Sequence, residues 1–364
     1  MTRSTSAIID TTALRDNFAL AQKLGPSAKS MPMVKANAYG HGMVEVAHAL
    51  NDMAPAYGVA CIEEALELRQ ANIQQPILLL EGPHSRDEVE IAQQQNFWLM
   101  LENHTQLDAV INTKLNKPIN IWVKLDTGMH RLGFQPDEAQ CVFQRLNDSS
   151  NVAESMVLAT HFSCADNLAN NFTYQQLEHF DKALKQLDSS NLLTSLANSA
   201  AILDWSNIKD NWQRPGYMLY GNTPFSQSQK NADKLKPVMH FQSAVISIRT
   251  VGRGESVGYT ANWTANRTST IATVAVGYGD GYPRHAPNAT PVLINGVKCP
   301  LVGNVSMDMI GVDITDLPKP IEIGQPVTLW GPGLGVNEVA EHCGTIGYEL
   351  LTRMPSRVPR IYRD

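Results

Sequence analysis

From residue 10 to about residue 232, short apolar runs alternate with stretches in which apolar residues recur every three or four positions. That is the signature of strands alternating with amphipathic helices. The apolar runs predict strands over 31–35, 57–62, 76–81, 97–101, 119–125, 155–161, 193–198 and 214–220, with helices over 12–24, 43–50, 63–71, 137–146 and 174–188 among those between them. No hairpin turn signal joins neighbouring strands, so they are expected to run parallel with helical crossovers. Eight such strands close a (β/α)8 barrel of the TIM type. An open doubly wound sheet would want a GxGxxG turn after an early strand, and none is present. Near residue 235 the pattern changes. Alternating runs over 241–249, 270–276, 291–294 and 326–330, broken by Gly, Pro and Asn, predict a mostly antiparallel β domain. A short strand over 6–10 is expected to join it. The predicted fold is therefore α/β: a barrel over 10–234, then a β-rich C-terminal domain over 235–364 that recruits residues 1–9.

Composition narrows the partners. The chain has 364 residues and a formal charge of −6, with 29 basic and 35 acidic side chains interspersed. This argues against nucleic acid or an anionic membrane surface. No apolar run approaches a membrane span, and Thr2 to Ser6 lead into the first strand without the apolar core of a signal peptide, so a cytoplasmic location is expected. Cys61, Cys141, Cys164, Cys299 and Cys343 are scattered and odd in number, which signals neither a disulfide framework nor a zinc site; no metal is expected.

Chemistry belongs at the carboxyl ends of barrel strands, and reactive residues collect there. Lys35 ends the first strand, Lys124 the fifth with Asp126 and Arg131 just beyond, His161 the sixth, and Asn198 and Ser199 follow the seventh. Arg214, Pro215 and Gly216 open the eighth. Each alone reads as an edge charge, a core histidine or a surface cation; their concentration on one rim is what points to a site. Lysine is rarely buried without a task, and a desolvated lysine loses proton affinity and becomes a nucleophilic amine. Small residues around Lys35 (Ala36, Ala38, Gly40, Gly42) let a flat ligand approach the backbone. Asn198 can cap a helix whose N-terminus follows strand seven, and Gly216 and Tyr217 expose backbone N–H groups nearby, the usual barrel location for a phosphate. Arg214 cannot give up its proton at accessible pH, so whatever acceptor it meets receives a hydrogen bond and not a proton.

The stretch from Val34 to Gly42, VKANAYGHG, resembles the pyridoxal-phosphate lysine motif of the alanine racemases. The resemblance continues through KLDTGMHRLG at 124–133, VGY at 257–259, VGYGDGYPR at 276–284, VGNVSMD at 302–308 and GTIGYE at 344–349, covering residues 6–360. It implies a racemase that interconverts L- and D-alanine with pyridoxal 5′-phosphate and supplies D-alanine for peptidoglycan. Lys35 would carry the cofactor and take the α-proton of the D-enantiomer, and Tyr259 that of the L-enantiomer. Ser199, Gly216, Tyr217, Tyr39 and Tyr348 would hold the phosphate, with His161 and Arg214 at the ring. Lys124 would be carbamylated and orient Arg131. The resemblance further implies a homodimer with shared active sites, in which Tyr259, Tyr278, Met307 and Asp308 enter from the partner subunit. The Met307 N–H and Arg131 would hold the substrate carboxylate, while Tyr278 and Tyr348 narrow the entrance to small side chains. Tyrosine ionises near ~10 in isolation, so the second base needs neighbouring positive charge; the His161 and Arg214 network is the expected source. Cys164 departs from the alanine of many relatives. A serine racemase is the alternative within the family. A decarboxylase on the same barrel would want a Gly-rich phosphate loop that Gly221 to Pro224 does not provide, and a non-catalytic pyridoxal-phosphate barrel would not need the C-terminal motifs.

Overall fold

The protein, described by a computed structural model over residues 3–187 and 192–364, places its strands in two curled sheets. After β1 (Ser6–Asp10), the parallel strands are β2 (Lys29–Ser30), β3 (Tyr57–Val59), β4 (Ile77–Leu79), β5 (Phe97–Leu101), β6 (Ile121–Lys124), β7 (Met156–Ala159), β8 (Leu192–Ser195) and β9 (Trp212–Gln213). Strands β3 to β8 form one sheet in sequence order, and β2 pairs β9. Backbone hydrogen bonds join these two pieces into a ring. Val34 N donates to Gly58 O at 2.9 Å and Gly58 N to Pro32 O at 3.0 Å on one side; Asn211 N donates to Thr194 O at 3.1 Å and Arg214 N to Ala197 O at 2.9 Å on the other. The interior is filled by Met31, Met33, Ala56, Leu78, Met100, Trp122, Val157, Ala159 and Trp212, so the barrel is a packed core and not a pore.

Two of the predicted barrel strands need correcting. The first was expected over 31–35, but the regular strand is Lys29–Ser30, followed by a single bridge from Met33 to Gly58. Pro32 has no N–H to donate, which interrupts the ladder. The eighth was expected over 214–220, whereas β9 ends at Gln213 and Tyr217–Tyr220 forms a 3-10 turn. Pro215 stops the strand, and the apolar run after it is buried as a turn against helix Thr11–Leu24, where Asn17 Nδ2 donates to Leu219 O at 3.0 Å. A short buried apolar run has no periodicity that separates strand from turn. Helix Phe172–Leu184 stops short of the expected end at 188, a residue outside the described ones.

Helix Thr11–Leu24 shows how local sequence sets its own limits. Asp10 caps it by accepting from Ala13 N at 2.7 Å. At the other end Gly25 leaves the space that the Gln213 side chain fills, and Gln213 Nε2 donates to Ala21 O at 2.7 Å, tying the helix to β9.

The second sheet is built on β10 (Met239–Val251), followed by β11 (Ser256–Val257), β12 (Trp263–Thr264), β13 (Ser269–Val274), β14 (Pro291–Ile294), β15 (Val297–Val302), β16 (Ile310–Asp313), β17 (Pro326–Trp330) and β18 (Arg360–Arg363). Its order is β13-β16-β15-β14-β17-β10-β1-β18, and β10 also pairs β13, closing the antiparallel strands on themselves. β1 joins this sheet as expected, antiparallel to β10 and parallel to β18. Strands β15, β16 and β18 and helices Val336–His342 and Gly347–Thr352 escape the alternation rule. β11 and β12 form a separate hairpin that presents Tyr259.

Trp122 is one of the two tryptophans of the barrel interior and is 1% exposed. Trp122→Ala is expected to lower the urea midpoint of the cofactor-free protein by the equivalent of about 3–5 kcal/mol. An unchanged midpoint would show that the interior is not packed as described.

Candidate active site

Lys35 stands where the first barrel segment leaves the ring, at the head of a turn in which Ala36, Asn37, Ala38 and Tyr39 all have φ of +52° to +53°. Consecutive non-glycine residues in the left-handed region are disfavoured by their Cβ atoms, so this turn needs outside support. Glu64 supplies part of it, accepting from Ala36 N at 2.6 Å and from Ala60 N at 2.8 Å. Asn37 Oδ1 accepts from Met43 N at 2.8 Å, starting helix Met43–Ala49. The second sheet supplies the rest: Arg360 Nε donates to Gly40 O at 2.7 Å and Tyr362 Oη to His41 O at 3.1 Å. Gly42, at φ +98°, is required, because a Cβ would meet the Tyr362 hydroxyl at 1.9 Å. Buried His41 stacks on Tyr220 with centroids 4.4 Å apart, and Tyr39 stacks on the same ring at 4.8 Å.

The rim residues converge electrostatically. Burial lowers the proton affinity of Lys35, the charge of Arg131 lowers it further, Glu81 and Glu64 oppose this in part, and Lys124 adds to it. Burial together with Arg214, Arg131, Lys124 and Lys35 holds His161 well below the usual histidine range, so its ring is neutral. Arg214 is 5% exposed. Its guanidinium donates to Ser195 Oγ, to Thr160 O at 2.6 Å and to Leu196 O at 3.3 Å. Among the described residues it makes no ion pair. Burial lowers its pKa to about 10, against the opposing charge of Asp210, so it remains a cation at neutral pH. Lys124, the last residue of β6, is buried with its Nζ 2.9 Å from Glu102 Oε1. Arg131 lies on the exposed loop beyond β6. Asp126 shapes that loop by accepting from Gly128 N at 3.0 Å and His130 N at 2.9 Å.

The expected phosphate residues also come together. Asn198 Oδ1 caps Ser199–Asp204 by accepting from Ala201 N at 3.2 Å. Ser199 Oγ accepts from Gly216 N at 3.0 Å and Met218 N at 3.3 Å, folding the seventh strand's exit onto the eighth's. A side chain at 216 would crowd the Tyr39 hydroxyl, 2.8 Å from where its Cβ would lie. Tyr217 stacks on Tyr348 at 3.6 Å and donates to Asn337 Oδ1 at 2.5 Å. Tyr39 lies 6.2 Å from Tyr348, and burial pushes its hydroxyl up to about 12, so it stays protonated as a donor. A desolvated amine, a backbone cradle with hydroxyl donors, and an unpaired buried guanidinium suit a phosphorylated aldehyde carried on a heteroaromatic ring. By contrast, a groove of about 440 Å³ between the Asp126 loop and helix Phe172–Leu184 includes Asp126 but none of the other expected site residues.

Tyr259, Tyr278, Met307 and Asp308 form a second group on the C-terminal domain. Tyr259 is 65% exposed and Met307 53% exposed. Their backbones are nevertheless held: Asn304 Nδ2 donates to Tyr259 O at 2.9 Å, Tyr278 N to Ser306 O at 3.0 Å, and Gly279 N to Met307 O at 2.8 Å. Asp308 is engaged with Arg357 at 2.7 Å. Sequence reasoning missed Glu64, Glu102, Arg360 and Tyr362. Glu102 follows β5 directly, so the rule that singled out the other rim residues applies to it as well.

Family models described as the N-terminal and C-terminal domains of alanine racemase match residues 9–224 and 238–362. The chain is 45% identical over 364 residues to an alanine racemase of Chromohalobacter salexigens, covering 100% of this chain and 99% of that one. It is 46% identical over 360 residues to a catabolic alanine racemase of Pseudomonas putida, covering 99% of each. The crystal structure of biosynthetic alanine racemase from Pseudomonas aeruginosa superposes with a TM-score of 0.95 at 46% identity, covering 100% of both chains.

Burial lowers the His41 pKa to about 4 from 6.5. Between those values the unfolded chain binds a proton that the native state refuses, so stability falls as pH falls through this window. Urea midpoints across it should show a loss of roughly 3 kcal/mol from this residue, absent in His41→Asn, which keeps an N–H donor. An identical pH slope in both proteins would contradict the assignment.

Proposed function

Since the chain belongs to the alanine racemase family and so interconverts L- and D-alanine with pyridoxal 5′-phosphate, we propose that Lys35 and Tyr259 are its two proton-transfer residues, one on each face of the substrate. The observation that carries this reading is the Lys35 amine, desolvated among Arg131, Lys124 and other charged groups at the mouth of the barrel. When bound, pyridoxal 5′-phosphate supplies a conjugated electron-withdrawing ring that makes the alanine α-proton removable. Starting from L-alanine, Tyr259 Oη takes that proton and Lys35 Nζ returns one to the opposite face; D-alanine reverses the two roles. Depressed proton affinity lets Lys35 exchange a proton near neutrality.

The remaining residues position and tune. Ser199, Gly216, Tyr217, Tyr39 and Tyr348 hold the cofactor phosphate, with Asn198 fixing the helix start. Arg214, which keeps its own proton, would donate to the ring nitrogen of the bound cofactor and so temper the electron withdrawal the ring supplies. Neutral His161 packs at the ring. Arg131 and the Met307 N–H take the substrate carboxylate, and Asp308 fixes the Met307 loop through Arg357. Tyr278 and Tyr348 limit the side chain that enters.

These two groups meet in a homodimer, Tyr259 of one protomer facing Lys35 of the other. Support comes from the exposed apolar surface formed by Tyr259, Tyr278, Met307 and Met309 on structurally fixed loops. Positive charge at the barrel mouth favours the phenolate form of a tyrosine brought there; Arg214 contributes to it, whereas His161, expected to share that part, is neutral because burial and the surrounding cations suppress its protonation. The working units are residues 10–234 and residues 235–364 with the N-terminal strand. We place the enzyme in the cytoplasm, supplying D-alanine for peptidoglycan. The chain resembles biosynthetic and catabolic racemases about equally, at 46% identity to each, and no described helix is long and apolar enough to cross a membrane.

Borohydride reduction of the holoenzyme followed by peptide mapping should leave the cofactor on Lys35; label on Lys124 would refute the assignment. Mixing inactive Lys35→Ala with inactive Tyr259→Ala under conditions of subunit exchange should restore activity through one intact site per heterodimer. Demonstrated exchange without recovery would exclude sharing.

A further inference from the structure

Arg3, just ahead of β1, reaches the fully buried carboxylate of Asp280. Its guanidinium is bidentate there: Nη2 donates to Asp280 Oδ2 at 2.7 Å and Nη1 to Asp280 Oδ1. Nη2 also donates to Ala275 O at 3.1 Å and to Asp308 O at 3.2 Å. The arm that carries Arg3 is seated by Thr5, whose buried hydroxyl donates to the same Ala275 O and is hydrogen-bonded to Ser243 Oγ at 3.1 Å. A second guanidinium completes the group. Arg357 has its Nε 3.1 Å from Asp280 Oδ1 and its Nη2 2.7 Å from Asp308 Oδ1. Two cations thus serve two carboxylates, one of which is out of water.

This group lies under the loop that carries Met307. Asp280 closes the turn over 277–281 by accepting from Gly277 N at 2.9 Å. That turn is joined to the loop by Tyr278 N donating to Ser306 O at 3.0 Å and Gly279 N to Met307 O at 2.8 Å, and Ser306 N donates to Met309 O at 3.0 Å, closing the loop on itself. The approach leaves no spare room. A Cβ at 277 would meet Ser306 O at 2.2 Å, and one at 279 would lie 3.0 Å from Met307 O and 2.6 Å from Arg357 Nη1. Without Arg3, the carbonyl one residue beyond Met307 loses a donor, and Arg357 alone must serve both Asp280 and Asp308. Depriving a buried carboxylate of a partner is costly, and the turn and loop tied to it are the backbone that would shift.

We propose that Arg3 is a positioning residue for the substrate carboxylate: through Asp280 and the Asp308 carbonyl it fixes the loop that presents the Met307 N–H. The start of the chain, 277 and 305 residues ahead of these two partners, thereby sets how firmly alanine is gripped. This rests on the reading of the Met307 N–H as a carboxylate donor, and the two can fail separately.

Hydrogen exchange of the holoenzyme, read by mass spectrometry, tests the first link in Arg3→Ala, and alanine kinetics test the second. Peptides covering 277–281 and 304–309 should exchange roughly tenfold faster, while β5 in the barrel keeps its protection. The KM for alanine should rise roughly tenfold with kcat changed less than about twofold. The inhibition constant of propionate, which offers the same carboxylate without the amine, should rise in step. Arg3→Lys, which keeps the charge but not the planar fork, should fall between the two proteins, and it carries the same comparison if Arg3→Ala does not fold. Unchanged exchange over 304–309 would overturn the proposal and leave the reading of Met307 standing. Faster exchange with an unchanged KM and propionate constant would also overturn it, by removing the Met307 N–H as the carboxylate donor.

Discussion

Keeping one amine out of water among other cations is the demand on which the rest of this structure turns. The proton affinity of Lys35 is lowered chiefly by burial and by Arg131, and the chain leaves this lysine through a run of left-handed residues. The left-handed turn from Ala36 to Tyr39 costs roughly 1–2 kcal/mol for each non-glycine residue. That cost is offset from two directions. Glu64 binds the turn to the neighbouring strand exit, and Arg360 and Tyr362 bind it to the second sheet. The N-terminal strand belongs to this clamp too, since β1 lies between β10 and β18. The β domain is thus part of the scaffold that holds the Lys35 turn in place, in addition to carrying Tyr259.

The division of labour between domains follows from this. The barrel rim gathers positive charge in Lys35, Lys124, Arg131 and Arg214 around a neutral His161, a setting suited to an anionic cofactor and a carboxylate substrate. The C-terminal domain keeps Tyr259, Tyr278 and Met307 exposed on loops whose backbones are fixed by hydrogen bonds. Exposed apolar side chains on rigid loops are suited to fit into a preformed partner surface.

Much of this was legible in the sequence, for identifiable reasons. Runs such as Phe97–Leu101, Pro291–Ile294 and Pro326–Trp330 are apolar or alternating segments with clear breaks at their ends. Lys35, Lys124 and His161 could be placed on one rim because they sit at or just beyond strand ends. The region from Arg214 to Tyr220 misled because Pro215 ends the strand within an apolar run, and a buried turn is as apolar as a buried strand. Glu102 was missed because a lone acidic residue after a strand reads as solvated surface; only the facing side chain of Lys124, brought alongside by strand pairing, shows that it is buried and paired. The clamp by Arg360 and Tyr362 depends on contacts more than three hundred residues apart in sequence, which no local pattern encodes.

If Lys35 and Tyr259 act on opposite faces of one substrate, isotope exchange in Tyr259→Phe will separate the two faces. Phe keeps the ring's packing and removes only the hydroxyl, so cofactor and substrate should still bind while racemisation falls roughly a hundredfold or more. In deuterated buffer this variant should exchange the α-hydrogen of D-alanine through Lys35 with retention of configuration, faster than it forms L-alanine. L-alanine itself should exchange hardly at all. Exchange of L-alanine at the rate of the unsubstituted enzyme would contradict the claim and remove Tyr259 as the second base.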